Sequence, residues 1–205
     1  MKRPIEPLSR EEVQQLIAHC GTNARRWPTP ARNRAIVAVL WRCGLRRMEL
    51  LNLWPADIDR EKSTLRVRRG KGGRARLVAI DAETGAHLDL WDHHRAKLSF
   101  GLNTPYFPGI SGEARGMKLG RTGLEKSIKL AAKKAGITKR IHYHGFRHTF
   151  AVELSEENVP INIISKALGH SNSGTTAIYL DHVAAPQVVD ALRCRQWNNP
   201  NKEST

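Results

Sequence analysis

The chain has 205 residues, 40% of them hydrophobic, which suits one globular domain with an ordinary core. Its formal charge of +15 favours a polyanionic partner, with nucleic acid as the first candidate and a merely soluble basic surface as the alternative. Its three isolated cysteines argue for a reducing compartment and against a disulfide framework or a zinc ribbon. No apolar run approaches the roughly 18 residues of a membrane span, and the first residues lack the apolar core of a signal peptide. We therefore expect a cytoplasmic protein.

The N-terminal third predicts three helices. Ser9 and Glu12 match a capping box, which predicts the start of the first helix. Thr29-Pro30 opens a second helix, whose apolar residues recur at i, i+3, i+4 and i+7 and form a core stripe. The stripe consists of Ile36, Val39, Leu40 and Cys43. A short helix from Leu45 to Leu53 is apolar on nearly every side and is predicted to be buried.

Two charged residues, Arg46 and Glu49, lie one turn apart on this short helix. A buried arginine needs a partner, because removing its charge from water is costly. The pattern therefore predicts either a structural ion pair or a site in which Arg46 faces an anion and Glu49 supports it.

Residues 64–69 and 76–80 alternate apolar and polar side chains around the turn Gly70–Gly73, and so predict a β-hairpin. Lys71 lies on the turn. It is either a solvated side chain or a general acid whose pKa is lowered by cationic neighbours. Arg74 and Arg76 are expected to form a rim that contacts the DNA backbone.

The middle of the chain predicts a helix from Ala82 to Leu98, a loop from Ser99 to Met117 and a helix from Thr122 to Ala135 that Gly136 closes. The core stripe of the last helix consists of Leu124, Ile128, Ala131 and Ala135. Another face carries three lysines and is either solvated or binds DNA. These lysines are Lys126, Lys129 and Lys133.

The segment from His142 to His182 combines basic and apolar faces. On a helix, His144, Arg147 and His148 share one side. Adjacent histidine and arginine side chains favour an anion, and phosphate is the obvious one. His148 is therefore a further candidate for contact with DNA.

Two more helices and a short helical segment are predicted after residue 158. The first helix begins at Pro160, points Ile161, Ile164 and Leu168 inward, and is capped by Gly169 with His170 just beyond it. Asn158, before it, tolerates a left-handed turn. Tyr179 falls on the short segment. The last helix begins at Pro186 with an apolar face of Val188, Val189 and Leu192, and residues 198–205 are expected to be disordered.

Three motifs, in this order, resemble those of the tyrosine recombinases, the phage-integrase-type site-specific recombinases. The family patterns are G-L-R-x-x-E-L, then a lysine in a G-K-G-G turn, then H-x-x-R, L-G-H and a tyrosine nine residues beyond. The matching residues are Gly44 to Leu50, Gly70 to Gly73, His144, Arg147, Leu168 to His170, and Tyr179. Each motif alone is weak, whereas all three in order are specific. The resemblance extends from about Leu8 to about Leu192.

The resemblance implies that Tyr179 attacks the phosphorus of a DNA phosphodiester and becomes linked to the 3′ phosphate. Arg46 and Arg147 would bind the phosphate oxygens, which suits the rigid forks of two arginines. Lys71 would protonate the 5′-hydroxyl leaving group. Because phosphotyrosine keeps the bond energy, another 5′-hydroxyl can reverse the step without ATP.

The same resemblance gives the remaining residues supporting roles. His144 would assist with the tyrosine's proton, His170 would hydrogen-bond the phosphate, and Glu49 would steady the site. No cofactor or metal is expected if protein cations do this work. The sequence agrees, since it has neither a G-x-x-x-x-G-K-[ST] loop nor an acidic cluster for paired magnesium ions.

The implied architecture is an α+β catalytic domain over residues 1–197, mainly helical with one small antiparallel sheet. The N-terminal core-binding domain of most family members is expected to be absent. The implied partners are double-stranded DNA, three further copies in a homotetramer held by the helix at 186–192, and an accessory DNA-bending or partner recombinase protein. Gly145 departs from the frequent acidic residue at that position, which weakens the helix start.

Three alternatives stay open. A non-catalytic DNA-binding regulator would use residues 161–180 as a helix-turn-helix. A type IB topoisomerase would share the chemistry but relax DNA without a defined site. A zinc site of His142, His144 and His148 lacks a cysteine or acidic cluster to complete it. The resemblance implies integration, excision or inversion of a DNA segment as the outcome.

Overall fold

A computed structural model describes residues 7–20, 28–68 and 75–170 of the chain. In this part, helices surround a small sheet that lies between the third and fourth helix in chain order. The elements are α1 (Arg10–Ala18), α2 (Thr29–Arg42), α3 (Arg47–Leu51), β1 (Ile58–Asp59), β2 (Thr64–Val67), β3 (Arg76–Ala79), α4 (Ala82–Lys97), α5 (Arg121–Lys134), α6 (Tyr143–Glu156) and α7 (Ile161–Leu168). The predicted fold class, mainly helical with one small antiparallel sheet, is confirmed.

Helix α1 begins with the predicted capping box. The Ser9 hydroxyl accepts a hydrogen bond from the Glu12 backbone N–H at 3.2 Å, and the Glu12 carboxylate accepts one from the Ser9 backbone N–H at 2.8 Å. Two N–H groups that a helix start would leave without partners are thereby satisfied.

Helix α2 lies at the centre of the core and packs against α1, α4 and α6. All four residues of its predicted stripe are buried. Trp41, near its end, is 2% exposed and donates its indole N–H to Glu153 of α6 at 3.0 Å. The central helix thus joins the N-terminal and C-terminal halves of the described chain.

Helix α3 is shorter than predicted and is not buried on every side. It has five residues, and Met48 is 40% exposed, while Leu50 and Leu51 are buried. A helix of little more than one turn can turn one side to solvent even where that side is apolar. The prediction of all-round burial is therefore wrong at Met48.

The sheet has the order β1-β2-β3 and is antiparallel throughout. The predicted hairpin pairs Thr64 with Ala79 and Val67 with Arg76. Strand β1 was not predicted, because two residues are too few to show alternation. The turn with Lys71 and Arg74 lies outside the described residues.

The helices predicted between residues 80 and 170 are confirmed to within one or two residues at their ends. The helical segment predicted around Tyr179 and the helix predicted from Pro186 lie outside the described residues. Gly136 (φ +70°) and Asn158 (φ +59°) adopt the left-handed conformation that ends α5 and α6. Ile164 and Leu168 of α7 are fully buried, but Ile161 is 45% exposed. The prediction that Ile161 points inward is wrong, because Ile161 lies in the first turn of α7, which is exposed at this position. Along the described stretches, no helix has the length and apolar character needed to cross a membrane.

Candidate active site

Arg46 occupies the N-cap position of α3, and Glu49 faces it from the first turn. The Arg46 backbone N–H donates to Glu49 Oε2 at 2.8 Å, and Arg46 Nη1 donates to Glu49 Oε1 at 2.9 Å. The Arg46 side chain is 27% exposed, whereas that of Glu49 is 4% exposed. The ion pair considered from the sequence therefore exists, and Arg46 keeps part of its surface towards solvent.

Arg76 of β3 reaches the same carboxylate from the sheet. Its Nη1 donates to Glu49 Oε1 at 3.1 Å, and its Nη2 donates to Glu49 Oε2 at 2.8 Å. The Arg76 side chain is only 8% exposed. The expectation that Arg76 belongs to an exposed rim is therefore corrected: pairing with Glu49 holds its guanidinium inside the protein.

The two arginines determine the protonation state of Glu49. Burial by itself raises the pKa of this carboxyl group, but the hydrogen bonds and charges of Arg76 and Arg46 outweigh burial and lower the pKa to about 2. Glu49 is consequently ionised throughout the physiological pH range.

Arg147 comes from the first half of α6 and is 1% exposed. Its Nη1 donates to the carbonyl of Gly44 at 2.7 Å, and its Nη2 donates to the carbonyl of Leu168. These bonds join the segment before α3 to the end of α7. They place Arg147 beside the motif that contains Arg46, as the resemblance implies.

The C-terminal end of α7 meets two arginines. Arg76 Nε donates to the carbonyl of Ala167 at 2.7 Å, next to the Arg147 bond to Leu168. The last carbonyls of a helix lack partners within the helix and carry partial negative charge, so cationic donors stabilise them. Gly169 then turns the chain in the left-handed conformation (φ +66°), which leads directly to His170.

The charges of nearby arginines help to lower the pKa values of both histidines in the predicted site. Burial, together with the charges of Arg147, Arg46 and Arg76, lowers the pKa of His170 to about 4. Burial also lowers the pKa of His144, again with help from Arg147 and Arg46. At neutral pH both rings are therefore uncharged, and each has one nitrogen that accepts and one that donates a hydrogen bond.

The structure thus brings together six residues, which we call the arginine site: Arg46, Glu49, Arg76, Arg147, His144 and His170. It contains three arginines and one carboxylate, so it attracts an anion. Guanidinium groups with fixed orientation suit a phosphate whose oxygens gain charge in a transition state.

The remaining predicted residues are either exposed or outside this site. Lys126, Lys129 and Lys133 are exposed on α5, and Lys129 pairs with Glu125 at 2.7 Å. His148 is half-buried on α6. Lys71, Arg74 and Tyr179 lie outside the described residues, as does the segment 186–192. Within the described ranges no three histidine, cysteine or acidic residues gather as metal ligands, so the alternative of a zinc site gains no support.

Sequence reasoning missed the inward direction of Arg76, although the signal was present. Successive side chains of a strand point to opposite faces. Arg76 therefore shares a face with Val78 and Ile80, which are both apolar and both buried. Alternation alone would have placed Arg76 on the inner face, where an arginine requires a carboxylate.

Comparison with known proteins agrees with this geometry. Residues 6–185 match the model of the phage integrase family. The chain is 36% identical over 179 residues to the tyrosine recombinase XerC of Chromobacterium violaceum, covering 85% of this chain and 57% of that protein. It is 37% identical over 172 residues to the tyrosine recombinase XerA of Thermococcus kodakarensis, covering 84% of this chain and 56% of the relative. The chain therefore spans little more than half the length of these relatives.

Solved structures show the same fold. A crystal structure of XerA recombinase superposes with a TM-score of 0.76 at 29% identity, covering 96% of this chain and 68% of that one. The catalytic domain of bacteriophage HP1 integrase has a TM-score of 0.60 at 20% identity, covering 96% of this chain and 99% of that one, and this similarity concerns the fold alone. Motifs, geometry and family match agree, and the chain belongs to the phage integrase family of tyrosine recombinases.

Proposed function

We propose that this protein is a site-specific DNA recombinase that cleaves and rejoins strands through a 3′-phosphotyrosine intermediate. The observation that carries the proposal is the arginine site, in which two motifs far apart in sequence meet. Arg46 before α3 and Arg147 of α6 act together on the same two histidines. The named relatives are tyrosine recombinases, which supports the same reaction.

In the proposed reaction, Tyr179 attacks the phosphorus, and the bond from phosphorus to the 5′ oxygen breaks. Arg46 and Arg147 bind the non-bridging oxygens, on which negative charge develops. Lys71 gives a proton to the departing 5′ oxygen. The reverse attack by a 5′-hydroxyl breaks the phosphotyrosine bond and restores a DNA phosphodiester, so no external energy source is needed.

The uncharged histidines suit two further roles. His144 accepts the tyrosine's proton, because a neutral imidazole is a competent base. His170 donates a hydrogen bond to a phosphate oxygen, and Glu49 holds Arg46 in place. An anion bound between the arginines would offset their charges and raise the pKa values of both rings.

Double-stranded DNA is the proposed substrate and main partner, reached in the cytoplasm. The charge of +15 supports it, since each phosphate neutralised by lysine or arginine contributes to affinity. We assign the backbone contacts to Arg74, His148 and the exposed lysines of α5. One solved relative, XerH, is described as bound to its difH substrate.

We further propose a homotetramer on DNA, in which the segment 186–192 of one copy docks on the next. A groove of about 350 Å³ between β3, α6 and α7 offers an apolar floor, with Leu77 at 62% and Ile163 at 46% exposure. Glu153 and Glu157 line it as well, and Arg193 and Arg195 follow the apolar face of the docking segment. Leu77→Glu should reduce the assembly to monomers on DNA in sedimentation, and unchanged tetramers would refute this docking site.

Covalent trapping tests the activity. Purified protein is mixed with nicked DNA fragments from around its own gene and separated on a denaturing gel. Wild-type protein should form a shifted adduct that Tyr179→Phe abolishes. Tyr143→Phe is the matched control, because burial raises the pKa of Tyr143 to about 12 and so disfavours its phenolate.

Each outcome of trapping has a defined meaning. An adduct that survives in Tyr179→Phe would overturn the choice of nucleophile. Clear DNA binding without any adduct would favour a non-catalytic regulator or a requirement for an accessory protein. Relaxation of arbitrary supercoiled plasmid would instead point to topoisomerase-like activity.

A further inference from the structure

The Glu49 carboxylate accepts four hydrogen bonds within the arginine site. Oε1 accepts from Nη1 of Arg46 at 2.9 Å and from Nη1 of Arg76 at 3.1 Å. Oε2 accepts from the backbone N–H of Arg46 at 2.8 Å and from Nη2 of Arg76 at 2.8 Å. A carboxylate has about four acceptor positions, so Glu49 is saturated.

The two arginines share this carboxylate unequally. Arg76 binds both oxygens with two nitrogens, which is the strong two-bond arrangement of arginine and carboxylate. The guanidinium of Arg46 donates to Glu49 through one nitrogen only. Arg46 is also the more accessible of the two, at 27% against 8% exposure.

We propose that Arg76 is a positioning residue, which occupies Glu49 and thereby prevents a two-bond pair between Glu49 and Arg46. Arg46 is then oriented by one side-chain bond and keeps its remaining N–H groups directed to phosphate. This inference rests on the proposed function, since it names what keeps Arg46 available to DNA.

A second set of contacts links Arg76 to the turn that precedes His170. Arg76 Nε holds the carbonyl of Ala167, and a Cβ added to Gly169 would lie 3.0 Å from Arg76 Nη1. The side chain of Arg76 therefore passes directly under the turn that presents His170. One residue on the sheet sets the positions of two phosphate-binding groups without touching the phosphate itself.

The test measures Arg46 directly in the free protein. Nitrogen-15 NMR of arginine side chains reports whether a guanidinium is locked in a two-bond pair, since rotation about its Cζ–Nη bonds then slows. In Arg76→Ala, Arg46 should become locked, and binding of inorganic phosphate, followed through the His170 ring signals, should weaken about tenfold, the scale of coupling within one network. Arg66→Ala is the matched control, because Arg66 is an exposed arginine on the neighbouring strand β2.

A double-mutant cycle separates positioning from direct binding. Loss of the Arg76 charge weakens phosphate binding equally in both backgrounds, so any difference between them acts through Glu49. In the Glu49→Gln background, the further change Arg76→Ala should alter phosphate binding by no more than about twofold. An equal loss of about tenfold in both backgrounds would mean that Arg76 acts on phosphate through its own charge and not through Glu49, and would overturn the proposal. Unchanged Arg46 signals in Arg76→Ala would overturn it too.

A second variant and a cleavage assay complete the test of Arg76. If Arg76→Ala does not fold, Arg76→Lys keeps the charge but cannot bind both carboxylate oxygens, and the same locking of Arg46 is expected. The DNA fragment that wild-type protein traps is also the substrate for single-turnover cleavage, which should slow about tenfold in Arg76→Ala at saturating protein. If the wild-type protein forms no adduct, the recombinase function loses its support, while the Arg46 signals of the free protein still decide the role of Arg76.

Discussion

Arg147 shows how a single residue can be buried and still offer its charge. Its guanidinium is bound to the carbonyls of Gly44 and Leu168, which orient the group without cancelling its charge. Glu49 illustrates the opposite case, because its carboxylate is paired with two arginines. The net positive charge of the arginine site therefore depends on whether each arginine is paired with a carboxylate or with uncharged backbone carbonyls.

Replacement of Arg147 should separate catalysis from stability. Arg147→Ala removes a preorganised charge-stabilising donor and should slow DNA cleavage by at least about 10²-fold. Arg32→Ala is the control, because Arg32 is also buried and donates to a carbonyl, that of Pro108, at 2.8 Å. Both variants should unfold at lower urea concentration, but only Arg147→Ala should lose cleavage. A loss of only two- or threefold would refute the role of Arg147.

His170 should titrate at unusually low pH. Burial and the neighbouring arginines lower the pKa in the folded protein to about 4, against an ordinary value of 6.5. The unfolded chain thus binds a proton more readily, and the contribution of this group to stability is lost as pH falls from about 6.5 to about 4. NMR of the His170 ring should show its midpoint near pH 4, and a midpoint above 6 would contradict the described burial.

At the scale of elements, the end of α7 is the point on which the site converges. Arg76 from the sheet and Arg147 from α6 both donate to its last carbonyls. Gly169 has to be a glycine for two reasons, the left-handed backbone and the close approach of Arg76. The position of His170 therefore depends on three elements at once.

Replacement of Gly169 by alanine should reduce stability by more than an alanine in the left-handed conformation ordinarily does. Gly136→Ala is the matched control, with φ +70° and open space around the added methyl group, and it should cost about 1 kcal/mol of stability. Gly169→Ala meets the same backbone penalty and also displaces Arg76, so it should cost about 2–3 kcal/mol. Urea unfolding measures both costs. Only Gly169→Ala should also slow DNA cleavage, and equal effects of both variants would show that the Arg76 contact is unimportant.

At the scale of the whole molecule, the charge of +15 should govern the proposed association with DNA. Many phosphate contacts make affinity fall steeply with salt, because each contact releases a condensed counterion. Between 50 and 200 mM salt, DNA affinity should fall by about 10³-fold. Fluorescence anisotropy with a labelled duplex measures this, and a flat response would contradict a binding mode that follows the DNA backbone.

Much of the fold could be predicted because its signals are local. The capping box of Ser9 and Glu12, the stripe on α2 and the left-handed Asn158 each depend on neighbours within a few positions. The errors, at Met48 and Ile161, concern residues in first turns, where burial depends on what packs from elsewhere. Strand β1 pairs with β2 through only two residues, which is too short for any pattern.

The sequence by itself determined the family, through motifs whose residue types and order suit phosphate chemistry. It also identified Arg46, Arg147 and His170 as candidates, although it left the role of Glu49 open between an ion pair and support of the site. Only the tertiary structure showed that the ion pair exists and that Arg76 shares its carboxylate, because Arg76 reaches Glu49 from a strand 27 residues away. Sharing of one carboxylate by two arginines depends on distances of about 3 Å between distant segments, and local sequence patterns do not encode such distances.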